Sequence, residues 1–208
     1  MRAFFVLPVL SIAACSPSPA ANNTAADINA AAARAQADVD SYAANNAAGP
    51  APAPLTPAGP GQPGGLADDR TPLSEAPFAS DSAQGAANVV QTYYALIGEG
   101  KYRQAWVLWG DKGAESGQSA EAFAASFAKY SEYHANVGSP GDIDAGAGQR
   151  YVTVPVQAYA RLKNGTGAYW IGSVVLHRTG DINGANAEDK AWRIKSIDLK
   201  VAPPAKGR

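Results

Sequence analysis

The spacing of apolar residues changes along the chain, from three or four residues near position 90 to two residues after position 140. The first spacing predicts helices at 86–99, at 102–109 and from Ser119 to the Gly138-Ser139-Pro140-Gly141 cluster. The second spacing predicts strands at 151–162, 167–178 and 192–201, with a shorter strand near 142–145. Helices followed by strands predict an α+β domain.

Three local signals refine the strand region. Asn164-Gly165 predicts a hairpin turn, because both residues tolerate positive φ. Pro155 lies within the first long strand and has no amide hydrogen to donate, so we expect it at an edge or a bulge. The alternation changes face between Ile194 and Ile197, which predicts a β-bulge at that point.

The first 14 residues have the pattern of a secretory signal peptide. One basic residue, Arg2, precedes an apolar stretch and two small residues. The stretch is too short for a membrane-spanning helix, which needs about 20 apolar residues. The segment Ile12-Ala13-Ala14-Cys15 resembles the bacterial lipobox, which implies that Cys15 is acylated and becomes the first residue of the mature protein. The alternative is an ordinary signal peptide followed by an incidental cysteine.

An acylated cysteine would tether the protein to a membrane, because each buried CH₂ group contributes about 0.8 kcal/mol. Ser16 stands where an aspartate would resemble the inner-membrane retention signal. We therefore expect a lipid anchor in the bacterial outer membrane, with the protein facing the periplasm. Cys15 is the only cysteine, so no disulfide forms within one chain.

Residues 15–84 are rich in alanine, proline and glycine and carry few large apolar side chains. Such a composition predicts a disordered linker, because little apolar burial offsets the entropy of ordering it. Within it, 29–44 has the composition of a transient helix. The linker is either a spacer that carries the domain toward a partner or a tolerated stretch of low complexity. The predicted organisation is a signal peptide at 1–14, the lipidated cysteine and linker at 15–84, a folded domain at 85–202 and a tail at 203–208.

Charge excludes one class of function. The chain has 17 basic and 18 acidic residues and a formal net charge of −1. A nucleic-acid-binding protein needs a surplus of lysine and arginine to neutralise phosphates, so we expect no nucleic acid partner. The C-terminal strand is locally basic, which indicates either contact with anionic glycan or lipid or an ordinary solvated strand face.

Three stretches together resemble the nuclear transport factor 2-like superfamily, also called the ketosteroid-isomerase-like or cone fold. They are Tyr93 to Trp106, the aromatic third helix, and Trp192 to Leu199. The resemblance implies three N-terminal helices packed on a curved antiparallel sheet of about four strands. It also implies a pocket between helices and sheet, into which enzymes of the superfamily project an Asp, Tyr or His. Homodimers through the sheet face, here with Tyr151 or Tyr159, are a further implication.

The pocket lining that this resemblance implies is aromatic and nearly free of acids. It comprises Tyr93, Trp106, Phe123, Phe127, Tyr130, His134, Tyr169 and Trp170. His134 shares the predicted helix face with Phe127 and Tyr130, so it is the candidate general base, or else a partly buried histidine at a helix end. His177 alternates in phase with Tyr169, so an inward position is a second candidate.

The remaining motifs carry weaker chemistry. Asp142 and Asp144 lie on one face of a predicted strand, as a carboxylate pair or as solvated edge residues. The stretch 181–189 is rich in oxygen ligands but lacks the spacing of a calcium loop. We therefore expect no metal and no cofactor.

The function predicted from these features is a non-catalytic binding or accessory module in the cell envelope. Its partner would be an envelope protein, a cell-wall component or a small apolar ligand. The alternatives are a ketosteroid-isomerase-like or dehydratase-like enzyme that acts on a small apolar substrate, and a purely structural tether.

Overall fold

The computed structural model describes residues 25–45, 51–68 and 77–205. It divides the chain into two units, residues 1–51 and residues 52–208. The predicted signal peptide and Cys15 lie outside the described residues, and so does the end of the predicted tail. In the first unit, α1 (Ala25–Asn45) extends the predicted transient helix in both directions. No helix in the described ranges is long and apolar enough to cross a membrane.

Four helical segments precede the strands in the second unit. They are α2 (Ala83–Gly98), α3 (Tyr102–Trp106), a 3₁₀ helix (Asp111–Ser116) and α4 (Ala120–Ser126). Ser82 caps α2, because its hydroxyl accepts a hydrogen bond from Gly85 N at 3.1 Å. Ser119 caps α4 in the same way, through Ala122 N at 3.2 Å. The first predicted helix is confirmed, whereas the second ends three residues earlier than predicted.

Five antiparallel strands follow the helices. They are β1 (Tyr130–Val137), β2 (Asp144–Gly146), β3 (Gln149–Leu162), β4 (Gly167–Thr179) and β5 (Arg193–Val201). The order across the sheet is β1-β3-β4-β5, and β2 pairs with a separate part of β3. The domain is therefore an α+β domain with an antiparallel sheet, as predicted.

The local strand predictions are confirmed. Gly165 has a φ of +88° in the hairpin turn between β3 and β4, and its amide donates to Leu162 O at 2.8 Å. Val175 pairs with Ser196 and Leu176 pairs with Ile194, so Lys195 has no partner residue on β4. This register shift is the predicted bulge. Pro155 lies between the stretches of β3 that pair with β1 and with β2, so the strand is locally an edge there.

The third predicted helix is wrong beyond Ser126. Residues 130–137 form β1 instead, which pairs with β3. A register shift between Tyr130 and Glu132 explains the error, because it turns Tyr130 and Tyr133 toward the same ring, that of Trp170. In a regular strand, residues three apart face opposite sides. The bulge therefore imitates the spacing of a helix.

The core lies between α2 and the sheet. Its fully buried large side chains are Val90, Ile97, Val152, Val154, Val156, Val174, Leu176 and Ile194. Val90 and Ile97 belong to α2, and the other six occupy alternate positions of the strands, so one face of the sheet covers the helices. A backbone bridge adds a further link, since Gly110 N donates to Ile194 O and Ile194 N donates to Leu108 O, both at 2.9 Å.

A proline-rich stretch lies against the other face of the sheet. We call residues 52–66 the strap. Ala58 of the strap is buried, and the side chain of Gln157 in β3 donates hydrogen bonds to two strap carbonyls. The sequence predicted a disordered linker over these residues. The strap is ordered because side chains of the sheet bind its backbone, which composition does not reveal.

Candidate functional site

An open cavity of about 220 Å³ lies between α2, α4 and the sheet, and we call it the aromatic pocket. Its rings are those of Tyr93, Tyr94, Trp109, Phe123, Phe127 and Tyr133. The remaining lining residues are Ser116, Gln118, Ser126, Ile197 and Leu199. No carboxylate or imidazole belongs to this lining among the described residues.

Helix and strand geometry bring the rings together. Tyr93 and Tyr94 are consecutive on α2 and meet edge to face, with ring centroids 4.9 Å apart. Phe123 and Phe127 are separated by one turn at the end of α4, and their centroids lie 5.2 Å apart. Tyr133 of β1 stacks on Tyr94, with nearly parallel rings 6.2 Å apart. The pocket is therefore walled by aromatic pairs that hold one another in place.

The pocket is electrically neutral at ordinary pH. Burial raises the pKa of the Tyr93, Tyr94 and Tyr133 hydroxyls above the usual value, because the phenolate is poorly solvated there. The Tyr94 hydroxyl is buried and has no hydrogen-bond partner among the residues that the structure describes. A buried polar atom without a partner is costly to the folded state.

Comparisons with known proteins give little beyond this geometry. No family model matches the sequence, and no curated protein matches it either. Among solved structures, the chain is similar to the crystal structure of Kfla4162 protein from Kribbella flavida. That likeness has a TM-score of 0.43 and 14% sequence identity, and it covers 60% of this chain and 93% of that chain. A similarity of this size carries no argument about function.

The structure brings part of the predicted pocket lining together. Tyr93, Phe123 and Phe127 line the aromatic pocket. Trp106 lies beside it, and its indole nitrogen donates to Ser116 Oγ and to Gln118 O, both at 3.0 Å.

Tyr130 and Trp170 contact each other and Tyr133, and so extend the aromatic cluster beyond the lining. Sequence reasoning missed Tyr94, Trp109, Tyr133, Ile197 and Leu199 as lining residues. The wrong helix hid Tyr133, which lies on the pocket side of β1.

His134 does not face the aromatic pocket, contrary to the prediction that placed it beside Phe127 and Tyr130. It follows Tyr133 on β1 and so points to the opposite side of the strand. Its ring stacks on that of Tyr159 in β3 at 5.3 Å, and its Nε2 lies 3.4 Å from Glu132 Oε2. Nearly half of the side chain is exposed. The candidate general base is therefore on the strap side of the sheet.

Tyr169 is also on the strap side, where its hydroxyl oxygen accepts a hydrogen bond from Thr56 N at 3.3 Å. His177 is an even number of residues from Tyr169 on β4 and therefore lies on the same side of the sheet. The core residues Val174 and Leu176 face the other side, so the inward position considered for His177 is wrong. A charged cluster surrounds it instead. Its Nε2 lies 2.9 Å from Glu115 Oε2 of the 3₁₀ helix.

The other Glu115 oxygen accepts from Lys195 Nζ, and this hydrogen bond raises the pKa of the Lys195 ammonium group. Gly110 leaves room for the cluster, because a Cβ there would overlap the Glu115 carboxylate. The cluster joins the 3₁₀ helix to β4 and β5.

The remaining candidates lie at the surface. Asp142 and Asp144 are both exposed, which fits solvated edge residues. The stretch 181–189 forms the loop between β4 and β5, and Asn186 and Asp189 exchange hydrogen bonds within it. Within the described ranges, no group of three or more His, Cys, Asp or Glu side chains is arranged to hold a metal ion.

Proposed function

We propose that this protein is a lipid-anchored envelope protein whose domain binds a small, flat, apolar ligand in the aromatic pocket, without catalysis. The observation that supports it is the pocket itself, a cavity of about 220 Å³ walled by six aromatic rings. A dry cavity of about 150 Å³ holds a benzene molecule, so the size suits a single substituted ring. The resemblance to the cone fold is part of this proposal.

The ligand would carry one polar atom. Apolar rings provide most of the contact area of the pocket. The Tyr94 hydroxyl is buried without a partner in the free protein, and a ligand that moves the surrounding rings apart would pair with it. A phenol has this combination, a ring for the aromatic walls and a hydroxyl for Tyr94. Rings prefer offset or edge-to-face contacts, which the walls at Tyr93 and Phe127 offer.

The enzyme alternative would need a base or an acid that faces the pocket. His134, the candidate for that role, lies on the other side of the sheet. The titratable groups of the described lining are three tyrosine hydroxyls, and burial raises the pKa of each further away from neutrality. These features favour binding over proton transfer.

The proposal is tested with 4-fluorophenol and the full chain, by following broadening of the ligand ¹⁹F resonance. We expect broadening with wild type and none with Leu199→Phe, because the added ring volume fills the cavity. Lys200→Phe is the matched control, since position 200 points to the other side of β5, and it should broaden the signal as wild type does. Equal broadening by Leu199→Phe and wild type would place the ligand elsewhere and refute the proposal.

The polar contact has its own test. Tyr94→Phe keeps the ring and removes the hydroxyl, so it should weaken binding of 4-fluorophenol by about tenfold and leave fluorobenzene binding unchanged. An equal loss for both ligands would show that the substitution altered the pocket rather than one hydrogen bond.

A further inference from the structure

The strap is bound to the sheet as a peptide ligand is bound to a receptor. Gln157 of β3 is 3% exposed, and its amide nitrogen donates to Ala58 O and to Gly64 O, both at 2.8 Å. Its amide oxygen accepts from Asn136 Nδ2 of β1 at 2.8 Å, which fixes the orientation of the amide. A buried side chain of the sheet thus donates both of its amide hydrogens to backbone carbonyls of the strap.

Two further side chains continue the same pattern along the sheet. The Arg161 guanidinium donates to Ala53 O at 2.6 Å and to Glu132 Oε1 at 2.5 Å. Glu132 accepts from Nε of Arg161 and so orients the guanidinium, whose Nη2 donates to the strap. The Tyr169 hydroxyl oxygen accepts from Thr56 N, one of the strap amides that is available to donate.

This pattern fits the chemistry of proline. Proline removes backbone donors and keeps its carbonyl as an acceptor. The strap is free of turns over residues 52–58 and turns over 59–65, where Gln62 N donates to Gly59 O and Gly65 N donates to Gln62 O. The strap contains prolines at 52, 54, 57, 60 and 63. The face opposite to the core supplies side-chain donors at Gln157 and Arg161, which match carbonyl acceptors. A strand edge would instead require backbone donors that such a segment lacks.

The bound segment leaves part of the surface uncovered. A cavity of about 340 Å³ lies beside Pro52 and Pro54, and the stacked rings of His134 and Tyr159 line it. Aromatic rings at the bottom of a groove are the usual receptors of proline rings. The surface is therefore wider than the strap that lies on it.

We propose that the face of the sheet formed by Glu132, His134, Gln157, Tyr159, Arg161 and Tyr169 is a binding surface for a proline-rich polypeptide with a turn that brings two backbone carbonyls onto Gln157. The strap is its intramolecular ligand. A proline-rich segment of another protein binds there by displacing the strap, and the strap keeps the surface covered until then. This surface is separate from the aromatic pocket and does not depend on what that pocket binds.

The test uses a fluorescein-labelled peptide of residues 50–66 and the full chain with a strap that is displaced. Gly65→Val displaces the strap, because a Cβ at Gly65 would overlap the carbonyl of Gly59. Gly59→Val is the matched control, since a Cβ at Gly59 meets nothing within 4 Å. We expect fluorescence anisotropy to show at least tenfold tighter binding of the peptide to Gly65→Val than to Gly59→Val or wild type.

Two further measurements identify the surface. Adding Gln157→Leu to Gly65→Val should weaken peptide binding about tenfold, because two hydrogen bonds are lost. A peptide with alanine at every proline should bind more weakly, since its more flexible chain loses more conformational entropy on binding. Circular dichroism first establishes that Gly65→Val is folded like wild type. The proposal fails if this folded variant binds the peptide no better than Gly59→Val. It also fails if the alanine peptide binds equally well.

Discussion

Single residues decide how closely the helical segments approach one another. Gly113 has a φ of +101° in the 3₁₀ helix, and a Cβ there would overlap the Trp106 ring. Trp106 in turn donates to Ser116 and Gln118 at the rim of the aromatic pocket. One glycine therefore allows an indole to reach the segment that closes the pocket. This contact between Gly113 and Trp106 depends on the tertiary structure.

Gly113→Ala should consequently destabilise the domain more than Gly117→Ala. Both glycines have positive φ, and this conformation costs an alanine about 1–2 kcal/mol. Only Gly113 adds a steric clash, because a Cβ at Gly117 meets nothing within 4 Å. Overpacking adds about 1–3 kcal/mol. Urea unfolding measures both variants, and equal losses would mean that Trp106 does not pack on Gly113.

At the scale of elements, the prediction succeeded where one pattern governed a whole segment. The alternation of Val152, Val154 and Val156 identified β3, because successive residues of a strand face opposite sides. The same rule failed at β1, where the bulge after Tyr130 gave aromatic residues a helical spacing. Because of this error, His134 was predicted to face the aromatic pocket, whereas it lies on the strap side of the sheet. A mistaken element therefore produced a mistaken site.

The ion pair between Glu132 of β1 and Arg161 of β3 should make the stability of the domain depend on pH. A hydrogen bond from Arg161 lowers the pKa of Glu132 below its ordinary value of 4.5, and His134 contributes in the same direction. A carboxylate with a lowered pKa stabilises the folded state above its unfolded pKa, and this stabilisation is lost as the pH falls through the folded value.

The free energy of unfolding of wild type should exceed that of Glu132→Gln at pH 7 by about 1 kcal/mol or less, because Glu132 is partly exposed. The difference should shrink as the pH falls below 4.5 and vanish once the pH is below the lowered pKa of Glu132 in the folded protein. Glu99→Gln is the control, since Glu99 lies 2.7 Å from Lys101 and both side chains are more than half exposed. It should change stability little at either pH, as measured by urea unfolding.

At the scale of the whole molecule, the strap changes the predicted organisation. The sequence predicted a linker up to residue 84, whereas residues 52–68 belong to the same compact unit as the sheet. The proposed tether between Cys15 and the domain is correspondingly shorter, ending near residue 51. Where the domain sits relative to a membrane would therefore depend on whether the strap is bound or displaced.

The lipid anchor is tested by expressing the full chain in a double-membraned bacterium. We expect wild type in the outer-membrane fraction and Cys15→Ala in the periplasmic fraction, because loss of the thiol removes the site of acylation. Ser16→Asp should shift the protein toward the inner membrane. If Cys15→Ala stays in the membrane fraction after a salt wash, Cys15 is not the anchor.

The sequence by itself determined the class of the domain, its hairpin, its strand bulge in β5 and the presence of aromatic residues at the pocket. These features follow from local spacing and from turn chemistry, which act over a few residues. Only the tertiary structure decided that Tyr133 faces the pocket, that His134 does not, and that the strap is bound. Each depends on partners far along the chain, as between Gln157 and Ala58, and no local pattern contains that information.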